Sequence, residues 1–403
     1  MRTFTDLPPL ALYVHIPWCV RKCPYCDFNS HEQKDTLPED EYVNALLSDL
    51  AAEMPRIWGR TISSVFIGGG TPSLFSAQAL DELMSGIRAL TALQPTSEVT
   101  MEANPGTFEQ EKFRDFRQLG INRLSVGVQS FDDNHLNALG RIHSGNEAQR
   151  AIDIAKQAGF DNINIDLMFG LPEQSIAAAG KDVQCAIALE PTHISYYELT
   201  LEPNTLFAKY PPALPNDDKK WQIHNNGMQL LAEHGYEHYE ISAFSQPGKR
   251  SRHNNNYWLF GDYVGIGAGA HSKVSFANTG DIVRRWKHKH PSRYLSGANA
   301  EAIDCIGGEN IITVADSAIE FMMNALRLKD GFAIPVFEQH TGVSINHWQH
   351  QIDEAIDKGL LEQSGFNLRA SDQGFNFLND LLELFMPIED KILSYPVIQL
   401  HQE

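Results

Sequence analysis

The sequence lacks long apolar runs and is poor in basic residues, and both deficits limit what the protein can be. No apolar stretch is long enough to span a bilayer as a helix, so we expect no transmembrane segment. Residues 1–12 lack the basic flank, apolar core and small-residue cleavage site of a secretory signal, which predicts a cytoplasmic protein. Only 32 basic residues oppose 51 acidic ones, for a net charge of −19. This negative charge disfavours nucleic acid as a partner and also disfavours anionic lipid surfaces. We therefore expect any peripheral contact with a membrane to occur through a partner protein.

Cysteine is scarce, with five in 403 residues, yet three of the five fall within eight residues. In a cytosolic protein such a cluster indicates metal ligands rather than disulfides. The spacing is Cys19-x3-Cys23-x2-Cys26, directly after the first predicted strand. Three thiolates on a [4Fe–4S] cluster leave one iron without a protein ligand, and that iron can chelate the amino and carboxylate groups of an external molecule.

A zinc site is the alternative for this loop, because His15 or His31 could supply the fourth ligand that zinc usually needs. The two remaining cysteines have no comparable partners. Cys185 lies in an apolar helical segment and Cys305 precedes two glycines, so we expect both to be isolated buried thiols.

The first half of the chain alternates strand-like apolar segments with amphipathic helices. The predicted strands are Leu10–Ile16, Ser64–Ile67, Glu98–Glu102, Arg123–Val128, Asn162–Met168 and His193–Leu199. The predicted helices are Glu41–Met54, Ala77–Leu90, Glu109–Leu119, Asn146–Ala158 and Ala177–Leu189. Strands separated by helices of this length predict a parallel sheet with right-handed crossovers. We therefore predict an α/β protein with a partial (βα)6 TIM-like barrel, and its chemistry at the carboxyl ends of the strands.

The pattern changes after about residue 300. Helical spacing at Ser317–Leu328, Pro335–Thr341, Asn346–Lys358 and Phe375–Phe385, with a hairpin-like wing at Gly359–Arg369, predicts a mostly helical, winged-helix-like domain. DNA binding is disfavoured because the last 32 residues hold one lysine, no arginine and six acids. The predicted units are a barrel core at 1–240, a covering region at 241–305 and the C-terminal domain at 306–403.

The cysteine spacing resembles the signature of the radical-SAM superfamily. The approach to it, Tyr13-x-His15-Ile16-Pro17-Trp18-Cys19, resembles the branch that contains oxygen-independent coproporphyrinogen III oxidase and the HemW-type heme chaperones. The resemblance covers nearly the whole chain, including the C-terminal domain. It implies a radical-SAM barrel, a [4Fe–4S] cluster on Cys19, Cys23 and Cys26, and S-adenosylmethionine, which a reduced cluster can cleave to a 5′-deoxyadenosyl radical.

The same resemblance assigns the S-adenosylmethionine contacts. Gly68-Gly69-Gly70-Thr71-Pro72-Ser73 is similar to the family motif that holds the methionyl amino group, although alone it would be an ordinary tight turn. The positions that match the family's contacts are Tyr13, Gly69, Gly70, Thr71, Glu102, Gln129, Arg141 and Asp166, and Tyr25 matches an aromatic position of the cluster loop. The number of S-adenosylmethionine molecules is left open.

Two features separate the oxidase from the chaperone within this branch. The oxidase carries a further cysteine two positions after its third cluster ligand, whereas Cys26 is followed here by Asp27 and Phe28. The segment 253–258, HNNNYW, fits the HNxxYW pattern of the HemW-type chaperones. The candidate heme contacts are its residues His253, Asn254, Tyr257 and Trp258.

This motif suits heme chemically. A neutral imidazole can ligate heme iron, and aromatic faces can stack on a porphyrin. Arg250 and Arg252 could pair with propionates, and His271 is a second candidate ligand. Taken alone, the motif could also be a polar turn whose aromatic rings fill a nearby core.

We therefore predict a heme chaperone that binds a [4Fe–4S] cluster, S-adenosylmethionine and heme, and that delivers heme to an apo-hemoprotein, expected to be a respiratory one. One alternative is a coproporphyrinogen III oxidase that decarboxylates propionates by radical chemistry. The other is a cluster-bearing binding protein without radical turnover. Enzymatic activity, catalytic residues, the recipient and the oligomeric state do not follow from the sequence.

Overall fold

A computed structural model describes residues 2–107, 110–300 and 303–386. In chain order, strands β1 to β17 are Leu10–Ile16, Trp18–Cys19, His31–Glu32, Thr61–Gly69, Ala92–Ala103, Arg123–Gln129, Ile163–Phe169, His193–Glu198, Glu237–Glu240, Ala243–Ser245, Asp262–Ile266, His271–Ser275, Ile282–Lys287, Ile306–Ile311, Phe332–Ala333, Leu361–Ser364 and Asn367–Ala370.

Twelve of these strands form one sheet in the order β14-β13-β12-β11-β1-β4-β5-β6-β7-β8-β10-β9. The strands from β11 through β1 and β4 to β8 are parallel, and antiparallel strands extend both sides. The strand β1, which precedes the three cysteines, therefore lies inside the sheet between β4 and β11. The carboxyl ends of its parallel neighbours meet beside the cysteine loop, which is where such folds place their sites.

In chain order, helices α1 to α15 are Glu39–Glu53, Ala77–Leu90, Gln110–Gln118, Asp133–Ala138, Gly145–Gln157, Ile176–Ala188, Leu206–Lys209, Asp217–Glu233, Arg252–Trp258, Pro291–Ala298, Val314–Ala325, Ile334–Thr341, Gln349–Asp357, Asp372–Asn376 and Leu378–Glu383. Several begin at a side-chain cap. For example, Ser76 accepts a hydrogen bond from the amide of Ala79, and Ser144 forms a reciprocal capping box with Glu147.

The two faces of the parallel sheet differ in chemistry because successive side chains of a strand point to opposite sides. One face carries apolar residues such as Leu12 and Val14 of β1 and Val65 and Ile67 of β4, and it forms the main core with the helices. We call the opposite face the inner face. It carries polar residues at paired positions of β4 to β8: Ser64, Glu98, Thr100, Glu102, Arg123, Ser125, Asn164, Asp166, His193 and Ser195.

The C-terminal residues build a second core. The three-stranded sheet β15-β17-β16 packs with α11 to α13, and the rings of Phe332 and Phe337 lie 4.8 and 4.9 Å from that of Phe321. Phe4 and Phe260 also join this core, so the domain packs against both ends of the preceding region. The β16–β17 hairpin turns at Gly365, whose φ of 59° lies in the left-handed region.

The predicted fold class is confirmed: a parallel α/β sheet with (βα)6 alternation and a mostly helical C-terminal region with a wing. The six predicted strands are β1 and β4 to β8, and the helix predicted at Ala77–Leu90 is α2. The first residue of the helix predicted at Glu109–Leu119 and the end of the C-terminal domain, 387–403, lie outside the described residues. The domain boundaries stay a prediction. Within the described ranges, every helix is too short or too polar to cross a membrane.

Candidate functional site

The three-cysteine loop is anchored at both ends. The two-residue strand β2 ends at Cys19 and pairs in parallel with β3, and the Cys19 carbonyl accepts a hydrogen bond from the Gln33 amide. Within the loop, the Cys26 amide donates to the Cys23 carbonyl at 3.1 Å. All three thiols are partly buried and free. The loop therefore presents three sulfur atoms from one short segment.

The surroundings of the thiols suit a polynuclear cluster better than a single ion. Among the described residues, no group of three or more His, Cys, Asp or Glu side chains is arranged to hold one metal ion. His15, the zinc candidate, instead bonds the Tyr13 hydroxyl through Nδ1 and the Asn29 carbonyl through Nε2, each at 2.9 Å. A four-iron cluster takes each cysteine to a different iron, so its ligands need not converge on one point.

The glycine motif after β4 is tied to this loop by its backbone. The Gly70 amide donates to the Ile16 carbonyl at 2.8 Å, and the Thr71 amide donates to the Trp18 carbonyl at 2.7 Å. A Cβ atom on Gly70 would lie 2.4 Å from the Trp18 carbonyl oxygen, so this position admits only glycine. Gly69 has a φ of 113° and packs against His15. The motif therefore sits directly beside the cysteines.

Two carboxylates of the inner face border the same end of the sheet. Glu102 accepts a hydrogen bond from the Gly69 amide at 2.9 Å, and burial raises the pKa of Glu102 to about 7. Burial also raises the pKa of Asp166, which accepts from Asn164 at 2.8 Å and from Ser125 at 3.2 Å. Glu102 can therefore change protonation near neutral pH, and the pKa of Asp166 lies above the usual range of an aspartate.

Gln129 and Arg141 complete this end of the inner face. Gln129 has a left-handed φ of 70° and its Oε1 accepts from the Tyr197 hydroxyl at 2.7 Å. Arg141 donates to the Gly127 carbonyl at 2.6 Å and lies 3.7 Å from the Cys23 sulfur. Arg141 thus connects the cluster loop to β6. A crevice beside it is lined by Val20, Arg21, Cys23, Thr71, Asn104, Gly140, Arg141 and Ile142.

Two tyrosines fix the borders of the site. Tyr13 is 1% exposed and its ring stacks on Phe66 at 6.2 Å. Tyr25, within the cysteine loop, packs against Phe207 at 6.3 Å and against a small apolar cluster that includes Met168 and Leu199. The nine residues predicted to contact S-adenosylmethionine or flank the cluster therefore lie around one end of the inner face.

The histidine of the HNNNYW segment lies elsewhere. This segment is the helix α9, and Glu98 accepts hydrogen bonds from the backbone amides of Arg252 and His253 at its first turn. Glu98 and Glu102 are four residues apart on β5, which separates the helix from the glycine motif by about 13 Å along the strand. His253 therefore reaches the inner face from the amino ends of the strands, not at the cluster loop.

The His253 ring is buried between aromatic neighbours. It is 1% exposed, stacks on Phe66 at 5.1 Å and contacts Tyr257 edge-on at 5.0 Å. Its Nδ1 bonds the Ser64 hydroxyl at 2.9 Å, while its Nε2 has no hydrogen-bond partner among the described residues. Burial lowers the pKa of His253 to about 3, so the imidazole is neutral at physiological pH.

The other motif residues also make contacts away from His253. Trp258 faces the C-terminal region, where the Arg327 guanidinium lies 4.5 Å from its ring centre. Tyr257 contacts the ring of Tyr263 at 4.5 Å. The Asn254 amide donates to the capping hydroxyl of Ser251 at 3.2 Å. The segment is a short helix rather than a turn, but its aromatic rings do pack in a nearby apolar cluster, as the structural alternative expects.

The two arginines considered for propionates have protein partners. Arg250 pairs with Asp330 at 2.6 Å and Arg252 donates to the Thr96 carbonyl at 3.0 Å. His271 begins β12 and stacks near Trp286 at 6.3 Å, away from this helix. Sequence reasoning missed the inner-face residues Ser64 and Phe66 that hold His253. The alternation of polar residues in the segment 98–102, EVTME, was the available signal for a polar sheet face.

Two family models match the chain. The Radical SAM superfamily model matches residues 13–183, and the HemN C-terminal domain model matches residues 312–377. The first match covers the cysteine loop and the parallel strands up to α6, and it implies a [4Fe–4S] cluster and S-adenosylmethionine. The second covers most of the winged C-terminal region.

Similar proteins cover nearly the whole chain. Heme chaperone HemW of Escherichia coli (strain K12) is 47% identical over 380 residues, which is 94% of this chain and 99% of that protein. Heme chaperone HemW of Haemophilus influenzae is 47% identical over 387 residues, with 95% and 99% covered. The solved structure of coproporphyrinogen III oxidase (HemN) from Escherichia coli has a TM-score of 0.79 at 21% identity, and covers 94% of this chain and 90% of that one. That structure supports the fold.

Proposed function

This chain belongs to the HemW family of the radical-SAM superfamily, and we propose that it is a heme chaperone, which binds heme and transfers it to an apo-hemoprotein. Relatives from several bacteria bear the name heme chaperone at nearly full coverage of both chains. The recipient we propose is a respiratory hemoprotein. The free state of all five cysteines agrees with a reducing, cytoplasmic location.

The residues of the cysteine loop fit a [4Fe–4S] cluster, with Cys19, Cys23 and Cys26 as its ligands. When bound, such a cluster supplies an open iron site and an electron for S-adenosylmethionine. Beside it, the backbone at Gly69, Gly70 and Thr71 is the part of the chain that we propose to hold the methionyl group. Tyr13, Tyr25, Glu102, Gln129, Arg141 and Asp166 are the side chains we propose as its surroundings. Arg141 would hold Cys23, and Glu102 would accept or release a proton at its carboxylate.

The observation that carries the heme proposal is the state of His253. When its Nδ1–H donates to Ser64, the lone pair of the neutral ring is on Nε2, which has no partner among the described residues. A hydrogen bond to the distal nitrogen that fixes the tautomer is the usual arrangement for a metal-ligating histidine. We therefore propose Nε2 of His253 as an axial ligand of heme iron, with Tyr257 beside it.

The burial of His253 has a consequence for this binding. Because the ring is enclosed by Phe66 and Tyr257, iron reaches Nε2 only when one of these neighbours moves. Asn254 and Trp258, the other motif residues, would act by holding α9 and its contact with Arg327. Heme uptake should therefore be slow compared with diffusion, and it should accelerate when Tyr257 is replaced by a smaller residue.

The test is a heme titration of the anaerobically reconstituted chain, followed by mixing with a heme-free recipient. The wild type should give a Soret band that moves to the recipient's position on mixing. His253→Ala should change the Soret position and release heme about tenfold faster, because porphyrin burial remains while the iron bond is lost. His271→Ala serves as the matched control and should match the wild type. An unchanged spectrum and off-rate in His253→Ala would remove His253 from the site.

A further inference from the structure

Arg123 is a buried cation that forms no ion pair with the described residues, and the carboxyl of Asp166 feels its charge only at longer range. It opens β6 on the inner face and is 2% exposed. Its Nε has no hydrogen-bond partner, and no ion pair to its guanidinium occurs within the described residues. Two other buried cations behave differently, since Lys273 has Asp262 at 2.9 Å and Lys287 has Glu53 at 2.7 Å. Arg2, which is also buried and has an unpartnered Nε, donates instead to the carbonyls of Ile312 and Thr313.

Two further polar atoms near Arg123 also lack partners. Thr100 is the register partner of Arg123 on β5, and its fully buried Oγ1 makes no hydrogen bond to described residues. His253 Nε2 is the second such atom, and Arg123 contributes to the lowered pKa of that imidazole after burial itself. Three polar atoms without hydrogen-bond partners among the described residues thus collect on one part of the inner face. We call this part the floor and define it by Thr100, Arg123 and His253.

The acid nearest in the sheet is already used. Glu98 precedes Thr100 by two residues on the same face, but its two oxygens accept from the amides of Arg252 and His253 at 3.1 and 3.0 Å. Burying a guanidinium without a paired carboxylate carries a large desolvation penalty. A protein retains such a group where a ligand supplies the missing anion.

The floor is reachable from the cluster end of the inner face. Ser125 lies two residues beyond Arg123 on β6 and is 8% exposed, and Glu102 and Asp166 farther along are partly exposed. The exposure of the inner face therefore rises from the buried floor towards the cluster end. A ligand entering from above would place its leading group on Arg123.

We infer that the floor is a carboxylate site, in which Arg123 and Thr100 receive a propionate of heme. The inference rests on the proposed heme function and adds to it the recognition of the porphyrin's charged edge. A guanidinium offers two parallel N–H donors that match a carboxylate, and the Thr100 hydroxyl is a further donor beside it. His253 shares the floor, so the iron ligand and the propionate receptor belong to one binding surface.

The experiment compares heme with heme dimethyl ester, in which both propionates are esterified, in Soret titrations of the reconstituted protein. The wild type should bind heme about tenfold more tightly than the ester, as expected for a charge-assisted hydrogen bond. Arg123→Met and Thr100→Val should weaken heme binding while leaving ester binding unchanged, with the larger effect, about tenfold, for Arg123→Met. Arg293→Met removes an exposed arginine paired with Asp304 and is the matched control.

Thermal unfolding distinguishes a receptor from a structural arginine. Because no ion pair is broken by the substitution, Arg123→Met should unfold at the same temperature as the wild type or higher. Unfolding at a clearly lower temperature, with equal losses for heme and its ester, would overturn the inference in favour of a structural role. Full heme affinity in both variants would overturn it as well.

Two other outcomes distinguish failure of the proposed heme function from failure of the propionate site. If the wild type binds neither heme nor its ester, the proposed heme function fails and the propionate site falls with it. In the second outcome, heme and its ester bind equally, and succinate alone raises the unfolding temperature of the wild type but not of Arg123→Met. The floor then binds a free carboxylate, and only the assignment to a heme propionate is overturned.

Discussion

Two thiols of the cluster loop, those of Cys19 and Cys26, are held in their neutral form by their surroundings. Burial raises the pKa of Cys19 to about 11 and also raises the pKa of Cys26. Iron binding requires thiolates, so formation of the cluster must release protons from these residues. Reconstitution should therefore be more complete at pH 8 than at pH 6.

The first prediction concerns these three residues one at a time. Replacing Cys19, Cys23 or Cys26 with serine should abolish the broad visible absorption and the bound iron of an anaerobically reconstituted sample. Cys185→Ser is the control, because that thiol lies on α6, remote from the loop in the chain, and should leave iron content unchanged. Four irons retained in the variant lacking all three loop cysteines would refute the assignment.

Glu102 should make S-adenosylmethionine binding depend on pH near neutrality. Its pKa is raised by burial to about 7, so the carboxylate is mostly protonated at pH 6 and mostly charged at pH 8. The ligand carries a sulfonium and an ammonium group, which favour the charged carboxylate. The affinity should fall about tenfold from pH 8 to pH 6, as for a single titrating group.

Glu102→Gln removes the titration while keeping an oxygen that can accept from the Gly69 amide. In this variant the dissociation constant for S-adenosylmethionine, measured by equilibrium dialysis, should be larger than in the wild type at pH 8. It should not change across the same pH range. The same slope in both proteins would assign the titration to another group.

At the scale of elements, local sequence patterns predicted the six barrel strands but not the later strand β11 that pairs with β1. Ala77–Leu90 was predicted to the residue because a serine cap precedes an amphipathic run. The strand Asp262–Ile266 was not predicted, since its sequence, DYVGI, is short and contains and precedes glycines. Its pairing with β1 joins residues about 250 positions apart, and no local periodicity encodes such a contact.

The position of His253 was also beyond local patterns. The sequence identified His253 and its neighbours in the chain. It did not reveal that Glu98, 155 positions earlier, accepts a hydrogen bond from the His253 amide in the first turn of α9. The cysteine loop was easier, because its ligands are adjacent in the chain. The S-adenosylmethionine residues came from resemblance, and their grouping at one end of the sheet follows from parallel strands with their carboxyl ends together.

The glycine motif should tolerate no side chain at Gly70. Gly70→Ala places a Cβ 2.4 Å from the backbone oxygen of Trp18, so the motif or the cluster loop must shift. We expect a loss of about 1–3 kcal/mol in unfolding free energy, typical of overpacking, together with reduced cluster content. Both quantities can be measured on one sample by urea unfolding and iron analysis.

Gly106→Ala is the matched control for this prediction. A Cβ at Gly106 would meet only the Asn104 side chain, at 3.9 Å, which is ordinary van der Waals contact. Normal stability and cluster content in Gly70→Ala would mean that the backbone hydrogen bonds between the motif and the loop are not needed to hold the cysteines.

For the molecule as a whole, the fold does not distinguish a chaperone from the oxidase that shares it. The pertinent difference is Phe28, which is 39% exposed at the position where the oxidase carries a further cysteine. We predict no conversion of coproporphyrinogen III to protoporphyrinogen IX by the reconstituted chain with S-adenosylmethionine and reductant. Chromatography of the products, with a competent oxidase as positive control, checks this. Several turnovers by the pure protein would contradict the chaperone proposal.

The position of β1 between β4 and β11 restricts the order in which the protein can fold during its synthesis. The ribosome releases the cysteines early, yet β1 pairs with its second neighbour, β11, only after residue 266 has emerged. The contact between these segments is close, because a Cβ on Gly267 would lie 2.4 Å from the His15 carbonyl oxygen. Nascent chains shorter than this expose one edge of the cysteine-bearing strand, which is a site for aberrant pairing. Insertion of the iron–sulfur cluster into the finished loop must therefore wait until the chain has been synthesised through residue 266.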